Sequence, residues 1–325
     1  IKRGLLGDLH YVRAQWHRGN LPGTDSWQQP LPPEVKPEDK DNEKLLKQLA
    51  AWRGQLDSAR GAEIDNWRRK VAQLEAQIAD RLLNEKGEDG KRLVEKYGYT
   101  SEQFTFPGQV YDRPALEELI RWRLWDRTGG GLMAELGSQQ LDAASIFVAA
   151  AHGGEKQLPL NVVGAASRSL FGPDRESDDH VFCIIEFPAP GYDPKDPIAR
   201  RKKIGVQYAS INGNGFGGYG EIAFGTDGTL ILEREQEAIL LQSASRSSRM
   251  NVQAGPSLDT QASGPVQKAK DTGPSAKISR GYQEQAEHWA WCIRNPSPEH
   301  QLRCRPKVAL GDAVIALTTN IAAQR

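Results

Sequence analysis

Glu135, Gln139 and Asp142 stand at i, i+4 and i+7 in the stretch WRLWDRTGGGLMAELGSQQLDAASIF, residues 122–147. At about 100° per residue, that spacing lines a carboxylate, an amide and a second carboxylate along one helix face. Leu136, Ala143, Ala144, Phe147 and Val148 cover most of the remaining surface. A mostly apolar helix with such a stripe faces something polar other than bulk water; the alternative is a half-exposed helix behind a glycine turn. Gly129, Gly130 and Gly131 lead into this helix. Glycine lets backbone approach a ligand closely, and free N–H groups at a helix start suit an anion or a polarised oxygen. Near the N-terminus His17 and Arg18 are adjacent in AQWHRGN. An imidazole exchanges a proton near neutral pH and a guanidinium forks onto a carboxylate, a pair suited to a polyhydroxylated or acidic ligand. Read blandly, they are strand-end surface residues. Arg123, which with Arg121 is one of two possible partners for Asp142, and Tyr219, beside a glycine-rich run, complete the candidate binding residues.

These residues need elements to hold them. Leu9–Arg18 alternates as a strand: Leu9, Tyr11, Arg13, Gln15 and His17 fall on one face, and His10, Val12, Ala14 and Trp16 on the other. Further strands are predicted at Asn161–Leu170, His180–Phe187, Lys203–Ile211 and Ala238–Gln242, with an Asp227-Gly228 hairpin between the last two. Helices are predicted at Leu132–Ala150, Tyr282–Arg294 and Pro306–Ala323. Strands clustered between flanking helices indicate an α+β class: an open-faced, largely antiparallel sheet with helices packed on one face.

Two stretches stand apart. Residues 34–99 are charged; Leu45, Leu49, Trp52 and Leu56 form one narrow apolar seam, and Ile64, Trp67, Val71, Leu74 and Ile78 another. That pattern predicts an antiparallel helical hairpin inserted in the domain, either a dimerisation arm or lid, or a solvated decoration. Residues 243–279 are rich in Ser, Gly, Pro, Ala and Lys and read as a long disordered loop within the same domain. Gly213, Gly215 and Gly218 spell G-x-G-x-x-G, but a strand-like segment and hairpin follow instead of a helix, so this is not a dinucleotide fingerprint.

The 325 residues carry 42 basic and 42 acidic side chains. That neutrality argues against a general binder of nucleic acid or anionic membrane, so neither is an expected partner. No apolar run is long enough to span a bilayer. Cys183, Cys292 and Cys304 lack metal-ligand spacing, so free thiols and no metal site are expected.

The glycine-led segment closely resembles the GGG-x-x-x-[DE]-x-G-x-H-x-x-D motif in the C-terminal domain of the Gfo/Idh/MocA family. GDLHYVRAQWHRGNLPGTDSWQQPLP resembles that domain's first strand, and GYQEQAEHWAWCIRN and RPKVALGDAVIALTTNIAAQR resemble its closing helices. The likeness assigns residues 1–33 and 100–325 to that domain. It implies an NAD(P)-dependent oxidoreductase acting on a sugar or polyol, and a homo-oligomer formed through the open sheet face. It also implies NAD or NADP bound mainly by an N-terminal nucleotide domain that the chain does not include. Ile1-Lys2-Arg3-Gly4 reads as the end of a helix, which agrees with a longer polypeptide. The compartment stays open between cytoplasmic and exported.

By the same resemblance Glu135 is the motif acid, Gly129, Gly130 and Gly131 lie near the cofactor, and Gln139 stands where the family has a proton-handling histidine. A carboxamide hydrogen-bonds a hydroxyl but cannot take its proton. Three accounts follow. A lysine outside this chain, or a relay through Glu135, serves as base; His17 substitutes; or the protein has lost catalysis and only binds sugar or oligomerises.

Overall fold

The computed structural model describes the chain apart from Lys2 and residues 33–38, 235–236, 243–246, 252–281 and 324–325. The described residues form ten strands: β1 (Leu9–His17), β2 (Glu102–Phe106), β3 (Gln109–Arg113), β4 (Asn161–Ser167), β5 (His180–Pro188), β6 (Lys203–Ile211), β7 (Tyr219–Gly225), β8 (Gly228–Glu233), β9 (Glu237–Gln242) and β10 (Ser247–Asn251). The helices are α1 (Lys40–Ser58), α2 (Glu63–Arg81), α3 (Leu93–Lys96), α4 (Ala115–Ile120), α5 (Asp126–Gly129), α6 (Ser138–Ala151), α7 (Tyr282–Arg294) and α8 (Pro306–Ala323). They divide into two compact units, one of residues 1–26 and 125–325, the other of residues 27–124.

The larger unit is the expected α+β sheet. Eight strands run in the order β10-β9-β8-β7-β1-β6-β5-β4, antiparallel except for the β1–β6 pair. Period-2 alternation splits each strand between two faces. Val12, Ala14 and Trp16 of β1, Val181, Cys183, Ile185 and Phe187 of β5, and Ile204, Val206 and Tyr208 of β6 are buried. α6 packs over β1, β6 and β7, and α8 over β4 and β5. The opposite face is open and displays Val163, Phe182 and Ile184. β10 extends the sheet into the stretch read as a disordered loop, which is therefore structured at Ser247–Asn251; residues 243–246 and 252–279 of that stretch lie outside the described ones.

In the smaller unit α1 and α2 form the predicted hairpin. Leu49, Val71, Leu74 and Ile78 are buried, with Leu45, Trp52, Leu56 and Leu82 packed against them. Trp52 meets Trp67 edge-on at 6.4 Å, and Arg53 Nη2 bonds Glu75 at 2.6 Å. The Asp39 carboxylate caps α1 by accepting the Asp41 N–H. The β2–β3 hairpin was not anticipated from the sequence. It carries Arg113, whose buried guanidinium lies 3.1 Å from the buried Glu118 carboxylate of α4.

Candidate functional site

The glycine run stops one helix and starts the next. Gly130 (φ +67°) closes α5, its N–H bonding Asp126 O, and Gly131 follows at φ +69°. Two left-handed residues in succession favour glycine strongly. The new helix at once widens into a π turn over Met133–Gly137 before continuing as α6. Such a turn inserts an extra residue and is often found at functional sites. Gly137 is required here for space. A Cβ would lie 2.8 Å from Leu132 O and 3.1 Å from Tyr208 Oη, so the helix rests directly on the sheet.

The π turn also breaks the 100° spacing on which a single polar stripe depends. The Glu135 side chain is only 4 % exposed, whereas Gln139 is exposed and Asp142 is half-exposed. Glu135 points toward the sheet and meets Arg18, whose Nη2 lies 3.5 Å from Glu135 Oε2. Asp142 pairs with Lys156 (3.2 Å), which also holds Asp312 of α8. Asp142 therefore helps join α6 to α8. Burial, together with the neighbouring Asp142 charge and against Lys156, pushes the Asp312 carboxyl up to about 6.

Arg18 follows the parity of Trp16 and falls on the helix-covered face, 1 % exposed. Its Nη1 donates to Ser210 Oγ (3.3 Å), and Ser210 Oγ donates to Trp16 O (2.9 Å). The guanidinium lies 5.4 Å from the Trp16 ring, and Trp16 stacks on Tyr219 at 4.5 Å. Tyr219 Oη donates to Arg234 O. The structure thus brings Arg18, Glu135, Trp16 and Tyr219 to one end of the sheet.

His17, one residue from Arg18, has the opposite parity and lies on the open face, where Nδ1 contacts Phe216 O at 3.0 Å. Arg123 belongs to the smaller unit, with its guanidinium 4.3 Å from the Trp122 ring.

The backbone clamps this end of β1. His17 N–H bonds Gly218 O, Arg18 N–H bonds Ile211 O, and Gly213 N–H bonds Asn20 O. The glycine string Gly213–Gly218 is therefore the β6–β7 connection and leads into a strand. With no helix after it, it does not fit a nucleotide pyrophosphate, and the described residues contain no other strand–glycine–helix fingerprint.

Tyr208 and Ser210 were not singled out in the sequence, although they share the parity of Ile204 and Val206 on β6. Burial, against the Arg18 charge, pushes the Tyr208 phenol up to about 12, so it stays protonated at working pH and is no base. Burial likewise pushes the Cys183 thiol up to about 12, and all three cysteines are free.

No protein-family model matches the chain, and no curated protein matches it. Among solved structures, it resembles levoglucosan dehydrogenase in complex with NADH and levoglucosan (12% identity, TM-score 0.44), covering 100% of this chain and 58% of that one. It also resembles UDP-N-acetylglucosamine 3-dehydrogenase from Acidithiobacillus ferrooxidans (11% identity, TM-score 0.37; 59% and 47% covered). A third is an oxidoreductase from Sinorhizobium meliloti (13% identity, TM-score 0.37; 59% and 49% covered). All three are oxidoreductases, and the chain spans about half the length of each. At these identities and TM-scores the likenesses carry no argument about chemistry.

Proposed function

We propose that this chain is the substrate-binding sheet domain of an NAD(P)-dependent oxidoreductase acting on a sugar or polyol. One observation carries the reading: a glycine-led helix opens into a π turn that sets Glu135 against Arg18, with Gln139 exposed one turn on. Arg18 and Glu135 neutralise and fix one another, and Gln139 orients a hydroxyl by donating and accepting hydrogen bonds. Neither Gln139 nor Tyr208 takes a proton, and His17 lies on the other face. The proton acceptor is therefore Glu135 or a group outside these residues. Among the described residues no strand–glycine–helix fingerprint offers a nicotinamide dinucleotide its pyrophosphate seat.

Saturation-transfer NMR with D-glucose, D-xylose, levoglucosan and myo-inositol tests the binding half of this reading. At least one should give signals that Q139A abolishes without lowering Tm. Q139H should add a pH dependence of sugar affinity between roughly 5.5 and 7.5, where an imidazole titrates. Failure of all four sugars, or binding indifferent to Q139A, would sink the assignment. Calorimetry should find no micromolar affinity for NADH or NADPH.

A second reading, a sugar-binding or oligomerising protein without catalysis, draws on the carboxamide at position 139 and the apolar open face around Phe182 and Ile184. In that case sugar binds, but supplying nicotinamide and a partner nucleotide domain yields no turnover.

A further inference from the structure

Chain-wide neutrality averages over a sharp local concentration of charge. The β5–β6 connection, residues 189–202, together with the first residue of β6, carries Lys195, Arg200, Arg201, Lys202 and Lys203 against only two carboxylates. All five residues are exposed; Lys203 Nζ is paired with the Glu186 carboxylate of β5 at 2.7 Å, so the charge left for a partner is that of Lys195, Arg200, Arg201 and Lys202. The two carboxylates are turned onto their own backbone. Asp193 accepts the Lys195 N–H, and Asp196 accepts the Ile198 and Ala199 N–H groups at 2.7 and 2.8 Å. The loop is pinned at its base by Ala189 N–H to Lys202 O (3.1 Å) and tightened by a 3-10 turn at Ala199–Arg201. Among these charges stands Ile198, an aliphatic side chain 77 % exposed. Arg200, Arg201 and Lys203 line one shallow cavity of about 460 Å³.

We propose that this loop docks the protein on an anionic lipid bilayer. Ile198 enters the headgroup layer, and Arg200, Arg201 and their basic neighbours engage the lipid phosphates and carboxylates. Anionic surfaces attract clustered Lys and Arg side chains, each adding about fivefold to partitioning at ordinary ionic strength. An apolar tip adds an area-dependent contribution that a purely electrostatic polyanion site does not use. The position suits such docking. Lys203 begins β6 and Ser210 lies seven residues on, so the patch is roughly 23 Å from the Arg18–Glu135 end of the sheet. That end then faces away from the membrane. Nucleic acid is the less suitable occupant, because the exposed apolar side chain of the loop is the aliphatic Ile198, while Tyr192, the loop's aromatic ring, is half-buried in the cavity beside Arg200 and Arg201.

The test is sedimentation of the full chain with vesicles of phosphatidylcholine containing 30 % phosphatidylserine, against pure phosphatidylcholine, at about 0.1 and 0.5 M NaCl. Binding is expected only with phosphatidylserine and should weaken at the higher salt. R200Q/R201Q should lose about 25-fold, from two charges at about fivefold each. I198S should lose about tenfold from the buried alkyl surface. Both variants lie on an exposed loop and should unfold at the wild-type Tm. Four results overturn the proposal: no dependence on phosphatidylserine, no loss in R200Q/R201Q, no loss in I198S, or equally tight binding to a 20-base-pair DNA duplex.

Discussion

Removing Glu135 alone should be among the most damaging single changes in the sheet unit. Its carboxylate lies 3.5 Å from Arg18 Nη2, with the two side chains 4 % and 1 % exposed. At an effective dielectric of about 20, unit charges at that separation attract by about 5 kcal/mol, most of it offset by the desolvation both ions suffer on folding. Deleting one partner leaves the other's desolvation uncompensated, at about 3–5 kcal/mol. Arg18 keeps Ser210 Oγ at 3.3 Å and the Trp16 ring at 5.4 Å, which places E135A toward the lower end, near 3 kcal/mol. At about 2–4 °C per kcal/mol the melting temperature should fall by roughly 6–12 °C. R18M/E135L removes both charges and should return to within about 1 kcal/mol of wild type, since an apolar pair of similar volume is often neutral. Urea unfolding of the two single variants and the double variant gives the coupling energy directly. If E135A costs under 1 kcal/mol, or if the double variant costs the sum of the singles, the two groups are not acting as a buried pair.

Three further outcomes follow from the same geometry. G137A should cost about 1–3 kcal/mol in denaturant unfolding, because its Cβ meets Leu132 O within the π turn at 2.8 Å and Tyr208 Oη of the sheet at 3.1 Å. Asp312 has a folded pKa raised to about 6, mainly by burial, above its unfolded value of about 3.9. Its contribution to stability is therefore full below the unfolded value and lost as pH rises through about 6. D312N should flatten the fall in Tm between about pH 4 and 6, and an unchanged slope would refute this. Asp179 behaves oppositely. Burial raises its pKa, but hydrogen bonds from the Ser169, Phe171 and Leu170 N–H groups and from His180 outweigh this and hold the carboxyl below its ordinary value. D179A should cost about 3 kcal/mol at pH 7 and progressively less as pH falls below the unfolded value of about 3.9 toward the lower folded one.

The sequence alone determined the long elements, though not the β2–β3 hairpin or β10. Period-2 alternation marked β1, and the 3-4 seams marked α1 and α2, because burial on one face writes itself into residue order. It also marked the false fingerprint at Gly213–Gly218, since a strand, not a helix, had to follow. Arg18 shares the parity of Trp16 and His17 the opposite one, although their adjacency suggested a joint role. The tertiary structure decided what the sequence could not carry. A π turn changes helical phase by one residue, and nothing in local propensity announces it. The close seat of Gly137 on Tyr208 accompanies it, and with it Glu135 turns inward while Gln139 and Asp142 part company. The Lys156 bridge to Asp312 joins residues 156 positions apart. Such long-range pairings depend on which helices pack together, and that is settled by the assembled core.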